Sequence, residues 1–256
     1  MSVARLELLA LPGLPMIKAG DDLAALLAEG FSRAGLRPQT GDVLALAQKI
    51  VSKAEGRSVE LASVKPSERA IKLAAEIQKD PRLVELILSE SVRVVRSRPN
   101  VLIVEHKRGW VMANAGIDQS NVGPTDGVER ALLLPVDPDG SADRIRTRLG
   151  ELLGTAPAVI ITDSFGRAWR RGTQGIAIGA AGLPALLDLR GNPDLFGRTL
   201  QVSISGFADE IAAAASLVQG QGNESQPAIL VRGLTWNAPD TPASELVRPA
   251  AEDMFR

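Results

Sequence analysis

Two aspartates in this chain lie near glycine and a hydroxyl residue, at or just past a stretch of apolar residues. Asp118 belongs to segment 115–121, and Asp163 directly follows the apolar run 158–162. Because ligands commonly bind at the ends of strands, a fold can bring two such carboxylates to one edge of a sheet. Carboxylate oxygens of this kind hold Mg²⁺ or Mn²⁺ against phosphate. The pair therefore indicates a nucleotide-dependent enzyme rather than a binding module.

Neighbouring polar residues extend this interpretation. Ser164 can add a hydroxyl or carbonyl oxygen beside Asp163, and Asn121 can bind a phosphate or the water ligands of a cation. Each aspartate also has an ordinary interpretation, because Asp118 can form an Asx-turn at a strand end and Asp163 can cap the turn after its strand. The spacing alone leaves both interpretations open.

Arginines cluster just after Asp163, at Arg167, Arg170 and Arg171. Guanidinium groups bind phosphates and carboxylates through paired hydrogen bonds, so the cluster favours a polyanionic ligand. Trp169 lies between these arginines and is expected either in the core or stacked on a ring of the ligand.

Lys49 and Lys53 follow a predicted strand, where they either bind phosphates as point charges or are simply solvated. The chain has no P-loop, and no glycine-rich Rossmann motif follows a strand, so a nucleotide must be held in another way. The turn 12–15 lets the backbone approach a ligand, and a polar loop around Gln221 offers a neutral oxygen. Each is equally typical of an ordinary turn or a flexible loop.

The composition narrows the available chemistry. The chain has 256 residues, 45% of them hydrophobic and 23% charged, and a net charge of −1, so neither nucleic acid nor a membrane surface is an expected partner. It has no cysteine, which excludes thiol nucleophiles and Cys-ligated metals. Its one histidine, His106, lies in a charged segment and is expected at the surface, so a Ser-His-Asp triad is not expected. No apolar run reaches the ~20 residues of a transmembrane helix, and we expect a cytoplasmic location.

Strand-like and helix-like segments alternate only loosely along the chain, with hairpin-like strand pairs among them. This pattern predicts an α/β fold with an α+β tendency, in which mixed β-sheets carry flanking helices in one domain or in two interleaved subdomains. Strands are predicted at 5–11, 42–47, 92–95, 101–105, 110–113, 131–134, 158–162, 201–205 and 228–231. Helices are predicted at 23–29, 66–79, 83–90, 141–153 and 208–218. Asp21 or Asp22 is expected to cap the first helix and Ser141 the fourth.

An ordered set of segments resembles the coenzyme F420-0:L-glutamate ligase family, also called F420:γ-glutamyl ligases. The matching segments are 13–15, 20–23, 49–57, 115–123, 133–138, 162–170, 208–212 and 231–233. Any one of them is weak evidence, but together they cover nearly the whole chain and form a highly specific set.

The resemblance implies a GTP-dependent ligase of coenzyme F420 biosynthesis. In such enzymes GTP phosphorylates the terminal carboxylate of the deazaflavin coenzyme precursor, and the α-amine of L-glutamate attacks the acyl phosphate. The products are a glutamylated coenzyme, GDP and phosphate, and further γ-linked glutamates can follow. Two divalent cations, Mg²⁺ or Mn²⁺, bridge the phosphates, and K⁺ is often required.

The resemblance also implies roles for individual residues. It places cation-binding positions at Asp118, Asp163, Ser164 and Gln221. It places GTP contacts at Pro12, Gly13, Leu14, Pro15, Gln48, Lys53, Asn121, Gln219, Gly220, Gly222, Asn223, Glu224, Ser225 and Gln226. Gln48 departs from relatives that carry Ser there, although Gln can still hydrogen-bond. We expect Asp118 and Asp163 to be catalytic through the cations that they hold, with Arg167 helping to neutralise phosphate charge.

The family further implies a homodimer with its site in a groove near the interface. Some actinobacterial relatives continue into a nitroreductase-like domain, whereas we expect residues 1–256 to form a single ligase domain without that extension. Two other functions stay open. The chain could be a metal- and nucleotide-dependent ligase acting on another carboxylate substrate, or a non-catalytic nucleotide-binding protein.

Overall fold

A computed structural model describes residues 3–123 and 126–254, and it forms mixed β-sheets with flanking helices. The strands are β1 (Glu7–Ala10), β2 (Val43–Ala47), β3 (Ser58–Glu60), β4 (Ser91–Arg98), β5 (Val101–His106), β6 (Val111–Ala113), β7 (Arg130–Leu132), β8 (Ala158–Arg167), β9 (Arg170–Ala181), β10 (Leu187–Asp188), β11 (Ile204–Ser205) and β12 (Ala228–Arg232). The helices are α1 (Leu23–Arg33), α2 (Gln48–Ala54), α3 (Glu68–Ile77), α4 (Pro81–Ser89), α5 (Pro138–Leu153) and α6 (Phe207–Gln219). The predicted fold class is confirmed.

The central sheet has five strands in the order β1-β12-β2-β8-β9, and only the β2–β8 pair is parallel. Side chains alternate between its two faces, as they must in a strand. Leu44 and Leu46 pack with α1, α2 and α5 on one face, whereas Val43 and Ala45 pack with α6 on the other. All four side chains are buried, which explains why β2 is a continuous apolar run in the sequence.

Residues 58–132 form a second body, which we call the inserted unit. It holds α3, α4 and the three-stranded sheet β4-β5-β6, and it has an apolar core of its own. The chain enters through β3 and leaves through β7, and these two strands pair antiparallel with Ser58 opposite Leu132. Asp118 lies in this unit, where its backbone exchanges hydrogen bonds of 3.0 and 2.8 Å with Leu132. The inserted unit therefore places Asp118 beside β7, the strand through which the chain leaves the unit.

The hairpin β8–β9 is longer than the sequence indicated. The prediction ended the strand at Thr162, but β8 continues to Arg167 because Asp163 pairs with Ile176 and Ser164 with Gly175 on β9. Pairing across the hairpin thus overrides the low strand propensity of Asp and Gly. The neighbour β2 ends at Ala47, opposite Thr162, so Asp163 lies just beyond the end of β2 although it is inside β8.

The N-cap prediction held for one helix and failed for another. Asp22 caps α1 and accepts a hydrogen bond from the N–H of Ala25. The predicted cap at Ser141 is wrong, because α5 starts at Pro138, whose fixed φ suits the first helical position. Ser141 is instead buried inside α5, with its hydroxyl 2.5 Å from the Glu55 carboxylate.

Two aromatic residues differ from the predictions. His106 is only 4% exposed, so its predicted surface position is wrong. It is the last inward-facing residue of β5, after Leu102 and Val104, and its ring lies 5.1 Å from that of Trp110. Trp169 is 77% exposed at the turn of the β8–β9 hairpin, so its core alternative is also wrong.

Within residues 3–123 and 126–254, no helix is long and apolar enough to cross a membrane.

Candidate active site

A cavity of about 320 Å³ opens beside the end of β2. Five parts of the chain form its wall: the loop after β1, the end of β2 with α2, Asn121 of the inserted unit, the β8–β9 hairpin, and the end of α6 with the loop that follows it. Among the predicted site residues, those lining it are Leu14, Pro15, Gln48, Lys53, Asn121, Asp163, Ser164, Gln219, Gly220, Gln221, Gly222, Asn223, Ser225 and Gln226. The fold thus brings most of the predicted residues together around one space.

Asp118 reaches this site through two residues of α2. One of its carboxylate oxygens, Oδ2, accepts a hydrogen bond of 2.9 Å from Gln48 Nε2 and lies 3.3 Å from Lys49 Nζ. Gln48 and Lys49 both line the cavity, whereas Asp118 is held directly behind them. The contact joins the inserted unit to the first turn of α2.

The charges of the two aspartates act on one another. Burial and, to a smaller extent, the negative charge of Asp118 together raise the pKa of Asp163 to about 7. Burial also raises the pKa of Asp118, while Lys49 and then Gln48 oppose that rise. Because two such carboxylates resist ionising together, a divalent cation between them would stabilise both charges.

Lys53 lies one turn after Lys49 on α2. Its ammonium donates a hydrogen bond of 2.7 Å to the backbone carbonyl of Asn121. Burial lowers the pKa of Lys53, and the neighbouring charge of Lys49 lowers it further. An anion in the cavity would relieve both effects, so the two ammonium groups favour a phosphate there.

Asn121 connects the inserted unit to the loop after α6. It adopts the left-handed conformation with φ 57°, which Asn tolerates better than most residues. Its side-chain amide donates to the carbonyl of Gly222 at 3.3 Å. The same residue thus contacts Lys53 through its backbone and the 219–226 loop through its side chain.

Gln48 has both ends of its side-chain amide occupied. The side chain is 1% exposed, its Oε1 accepts from the Ser52 hydroxyl at 2.9 Å, and its Nε2 donates to Asp118. In the structure, Gln48 therefore orients the carboxylate of Asp118. Its sequence-based role as a nucleotide contact stays a prediction.

The loop after α6 is anchored by the last residue of that helix. Gln219 Oε1 lies 3.2 Å from the Thr162 hydroxyl, which ties the end of α6 to β8. Further along, the N–H of Gly222 donates to the Glu224 carboxylate at 2.8 Å, so this side chain folds back onto its own loop. Gln221, Asn223, Ser225 and Gln226 line the cavity, and Glu224 does not.

Three other predicted residues lie away from the cavity wall. Pro12 and Gly13 precede the lining residues Leu14 and Pro15, and the carbonyl of Gly13 accepts a hydrogen bond of 2.6 Å from Arg33. Arg167 is four residues beyond Asp163 on an extended strand, or roughly 13 Å along it, and its guanidinium donates to Gln174. The role of Arg167 in neutralising phosphate stays a prediction.

From the sequence, Lys49 is expected either to bind phosphate or to be solvated, and Thr162 and Met16 have no predicted role. The structure places all three on the cavity wall. For Lys49 a signal was present, because Lys49 and Lys53 are four residues apart and so lie on one face of a helix. For Thr162 and Met16 the sequence offers no comparable signal.

Sequence similarity to known proteins extends over nearly the whole chain. A family model described as F420-0:Gamma-glutamyl ligase matches residues 13–233. The chain is 44% identical over 253 residues to the coenzyme F420:L-glutamate ligase of Methanothermobacter thermautotrophicus, which covers 98% of this chain and 99% of that protein. It is 46% identical over 253 residues to the protein of the same name from Archaeoglobus fulgidus, covering 98% and 97% of the two chains. The match thus includes every segment that forms the cavity wall.

Proposed function

Because this chain belongs to the F420-0:Gamma-glutamyl ligase family, we propose that it is a GTP-dependent ligase that joins L-glutamate to coenzyme F420-0. The observation that carries the proposal is that Asp163, Lys49 and Lys53 line one cavity, while Asp118 contacts Gln48 and Lys49 in its wall. Carboxylates for cations and ammonium groups for phosphates are what phosphoryl transfer requires, since it depends mainly on positioning and charge neutralisation.

The donor atoms fit divalent cations that prefer oxygen. Asp118, Asp163, Ser164 and Gln221 offer carboxylate, hydroxyl and amide oxygens, which suit Mg²⁺ or Mn²⁺. In the described part of the chain there is no group of three or more His, Cys, Asp or Glu residues that could hold a metal ion. This agrees with Mg²⁺ chemistry, in which one or two carboxylates hold the ion and substrate phosphates and water complete its shell. We propose that these residues hold two such cations, and that K⁺ also supports the reaction.

The nucleotide is proposed to lie in the cavity. Lys53 and Asn121 contact its phosphates, and Leu14, Pro15 and the lining residues of the loop 219–226 hold the rest. Lys53 suits this role because its lowered pKa reflects a charge that is partly desolvated and close to a second ammonium. The bound cations would supply charge neutralisation for the transferred group.

The proposed reaction has two steps. An oxygen of the terminal carboxylate of coenzyme F420-0 forms a bond to the γ-phosphorus of GTP, and the bond from that phosphorus to the β-phosphate oxygen breaks, which releases GDP. The α-ammonium group of L-glutamate then loses one proton to water, and the resulting amine bonds to the acyl carbon. The bond from that carbon to the phosphate oxygen breaks, phosphate leaves, and the nitrogen releases its second proton to water as the amide forms. In both steps Lys53 and Asn121 position phosphate oxygens, and Gln48 orients Asp118 through the hydrogen bond described above.

Mass spectrometry tests the proposal directly. Purified protein, GTP, MnCl₂, L-glutamate and coenzyme F420-0 should yield GDP and a coenzyme heavier by one or more glutamyl residues. Nucleotide hydrolysis that depends on a different carboxylic acid would instead support a ligase with another substrate. Nucleotide binding without any product would support a non-catalytic protein, and either result would overturn the proposed activity.

We also propose that the protein acts as a homodimer. An arm formed by residues 189–203, between β10 and β11, supports this assembly. It exposes Leu195, Phe196 and Val202, and apolar side chains grouped in this way often mark a protein–protein interface.

A further inference from the structure

We propose that Lys49 is an exchangeable counter-ion, whose ammonium pairs with Asp118 in the cation-free protein and moves to a nucleotide phosphate when cation and nucleotide bind. This exchange would make the binding of the two ligands cooperative. The inference rests on the proposed function, because it assumes that the cavity receives a cation and a phosphate. It assigns Lys49 a positioning role.

The contact itself is an ion pair at the centre of the site. Lys49 Nζ lies 3.3 Å from Asp118 Oδ2, the same oxygen that accepts the hydrogen bond from Gln48 at 2.9 Å. The positive charge of Lys49 also acts on Asp163. Lys49 therefore compensates both carboxylates at once.

A divalent cation cannot share this arrangement without cost. An ion held between Asp118 and Asp163 would lie close to the Lys49 ammonium, and two positive charges at such a distance repel each other in a half-buried site. Lys49 thus competes with the cation for Asp118. The protein without nucleotide is expected to bind Mn²⁺ weakly for this reason.

The ammonium group of Lys49 can also reach a second partner, inside the cavity. Its side chain is 31% exposed and lines the cavity, and four methylene groups allow the ammonium to swing away from α2. A phosphate in the cavity would offer it a partner with more negative charge than one carboxylate. Nucleotide binding would therefore release Asp118 for the cation.

Lys53 provides a matched comparison on the same helix. It also lines the cavity, but its ammonium contacts the uncharged carbonyl oxygen of Asn121. Removing its charge would weaken phosphate binding without freeing a carboxylate. The two lysines therefore predict different effects on the affinity for a cation alone, because removing the charge of Lys49 should raise it and removing the charge of Lys53 should leave it unchanged.

The test measures Mn²⁺ binding by electron paramagnetic resonance of the free ion, with and without GDP, corrected by a protein-free titration of Mn²⁺ with GDP. In the wild-type protein GDP should strengthen Mn²⁺ binding by roughly tenfold or more, and Mn²⁺ should strengthen GDP binding by the same factor. In Lys49→Met, Mn²⁺ alone should bind roughly tenfold more tightly, and the effect of GDP should shrink. In Lys53→Met, GDP should bind more weakly while the affinity for Mn²⁺ alone stays as in the wild type.

The proposal is overturned if Lys49→Met leaves the affinity for Mn²⁺ alone unchanged, weakens it or abolishes it. If circular dichroism shows that Lys49→Met does not fold, Lys49→Gln carries the same expectation, because its amide can still donate to Asp118 without a charge. Failure of the proposed function would look different. If Lys49→Met binds Mn²⁺ more tightly but the wild-type protein forms no glutamylated product, the counter-ion exchange of Lys49 is supported and the proposed ligase activity is not.

Discussion

Asp118 and Asp163 have the most direct consequence for activity. Replacing either by Asn keeps its size but removes a negative charge from the proposed cation site, so we expect Asp118→Asn and Asp163→Asn each to lower turnover at least about a hundredfold. The measurement is the rate of GDP formation together with the yield of glutamylated coenzyme. Asp143→Asn, at an exposed position on α5, is the control and should keep full activity. Near-normal turnover in both site variants would contradict the cation role.

Asp163 also predicts how the stability of the metal-free protein depends on pH. Its pKa is about 7 in the folded protein and near the ordinary value of 3.8 in the unfolded chain. Between these values the folded state keeps a proton that the unfolded chain releases, so the contribution of Asp163 to stability falls as pH rises from about 4 to about 7. Asp163→Asn removes this effect. The variant should be more stable than the wild type at pH 8, by up to about 4 kcal/mol, and similar to it at pH 4.

Urea unfolding in the presence of EDTA at the two pH values measures this difference. Asp240→Asn, at an exposed site, is a suitable control and should leave the pH dependence of the wild type in place. A less stable Asp163→Asn protein at pH 8 would show that the carboxylate is not destabilising when ionised.

Individual residues differed in how far the sequence could predict them. The position of Asp163 at the cavity could be predicted, because a polar residue directly after an apolar strand is a pattern that the sequence itself shows. The buried position of His106 could also have been predicted, because alternation with Leu102 and Val104 points it inward. Its charged neighbours instead led to the prediction of a surface position. The contact between Lys49 and Asp118 was not predictable, since it joins two units of the fold and depends on their packing.

At the scale of elements, the contact of β9 with α5 depends on a glycine. A Cβ atom at Gly179 would collide with the backbone of Pro138 at the start of α5. Because backbone atoms cannot move aside as a flexible side chain can, Gly179→Ala should destabilise the protein by about 3 kcal/mol. Gly166→Ala is the matched control in the same hairpin, because a Cβ there meets nothing within 4 Å.

Equilibrium unfolding in urea would measure both changes. The control should stay within about 0.5 kcal/mol of the wild type. Equal stabilities of the two variants would mean that α5 can shift away from β9 without cost.

The elements also explain why motifs alone could not identify the site. Asp209 belongs to a segment that supports the family resemblance, but its carboxylate accepts the N–H of Ala177 at 2.8 Å on the outer side of β9. Arg232, in another such segment, binds the 2% exposed Asp42 through contacts of 2.7 and 2.9 Å. These residues hold the fold together away from the cavity. Spacing in the sequence cannot separate them from residues such as Asp118, because both kinds are polar residues at the ends of elements.

At the scale of the whole molecule, the arm defined above makes the proposed dimer testable. Leu195 is 98% and Phe196 90% exposed. If this surface joins two copies, the double variant Leu195→Asp, Phe196→Asp should be monomeric, since it would bury unpaired charges at the interface. Light scattering coupled to size-exclusion chromatography gives the mass of each species.

Leu217→Asp provides the control for this experiment. Leu217 is 82% exposed on α6, outside the arm, and its substitution should leave the dimer intact. A wild-type protein that runs as a monomer would contradict the proposed assembly. A dimeric double variant would show that the interface lies outside the arm.

The attachment of the inserted unit has a mechanical consequence. The unit joins the rest of the chain through β3 and β7, which lie side by side, and Asp118 is hydrogen-bonded to Leu132 at the end of β7. Elsewhere in the unit, Trp110 and Met112 are buried in the same apolar core as Leu44 and Leu46 of the central sheet. A rotation of the inserted unit about β3 and β7 would therefore have to disrupt this core. The packing of the core thus helps to fix where Asp118 lies relative to α2.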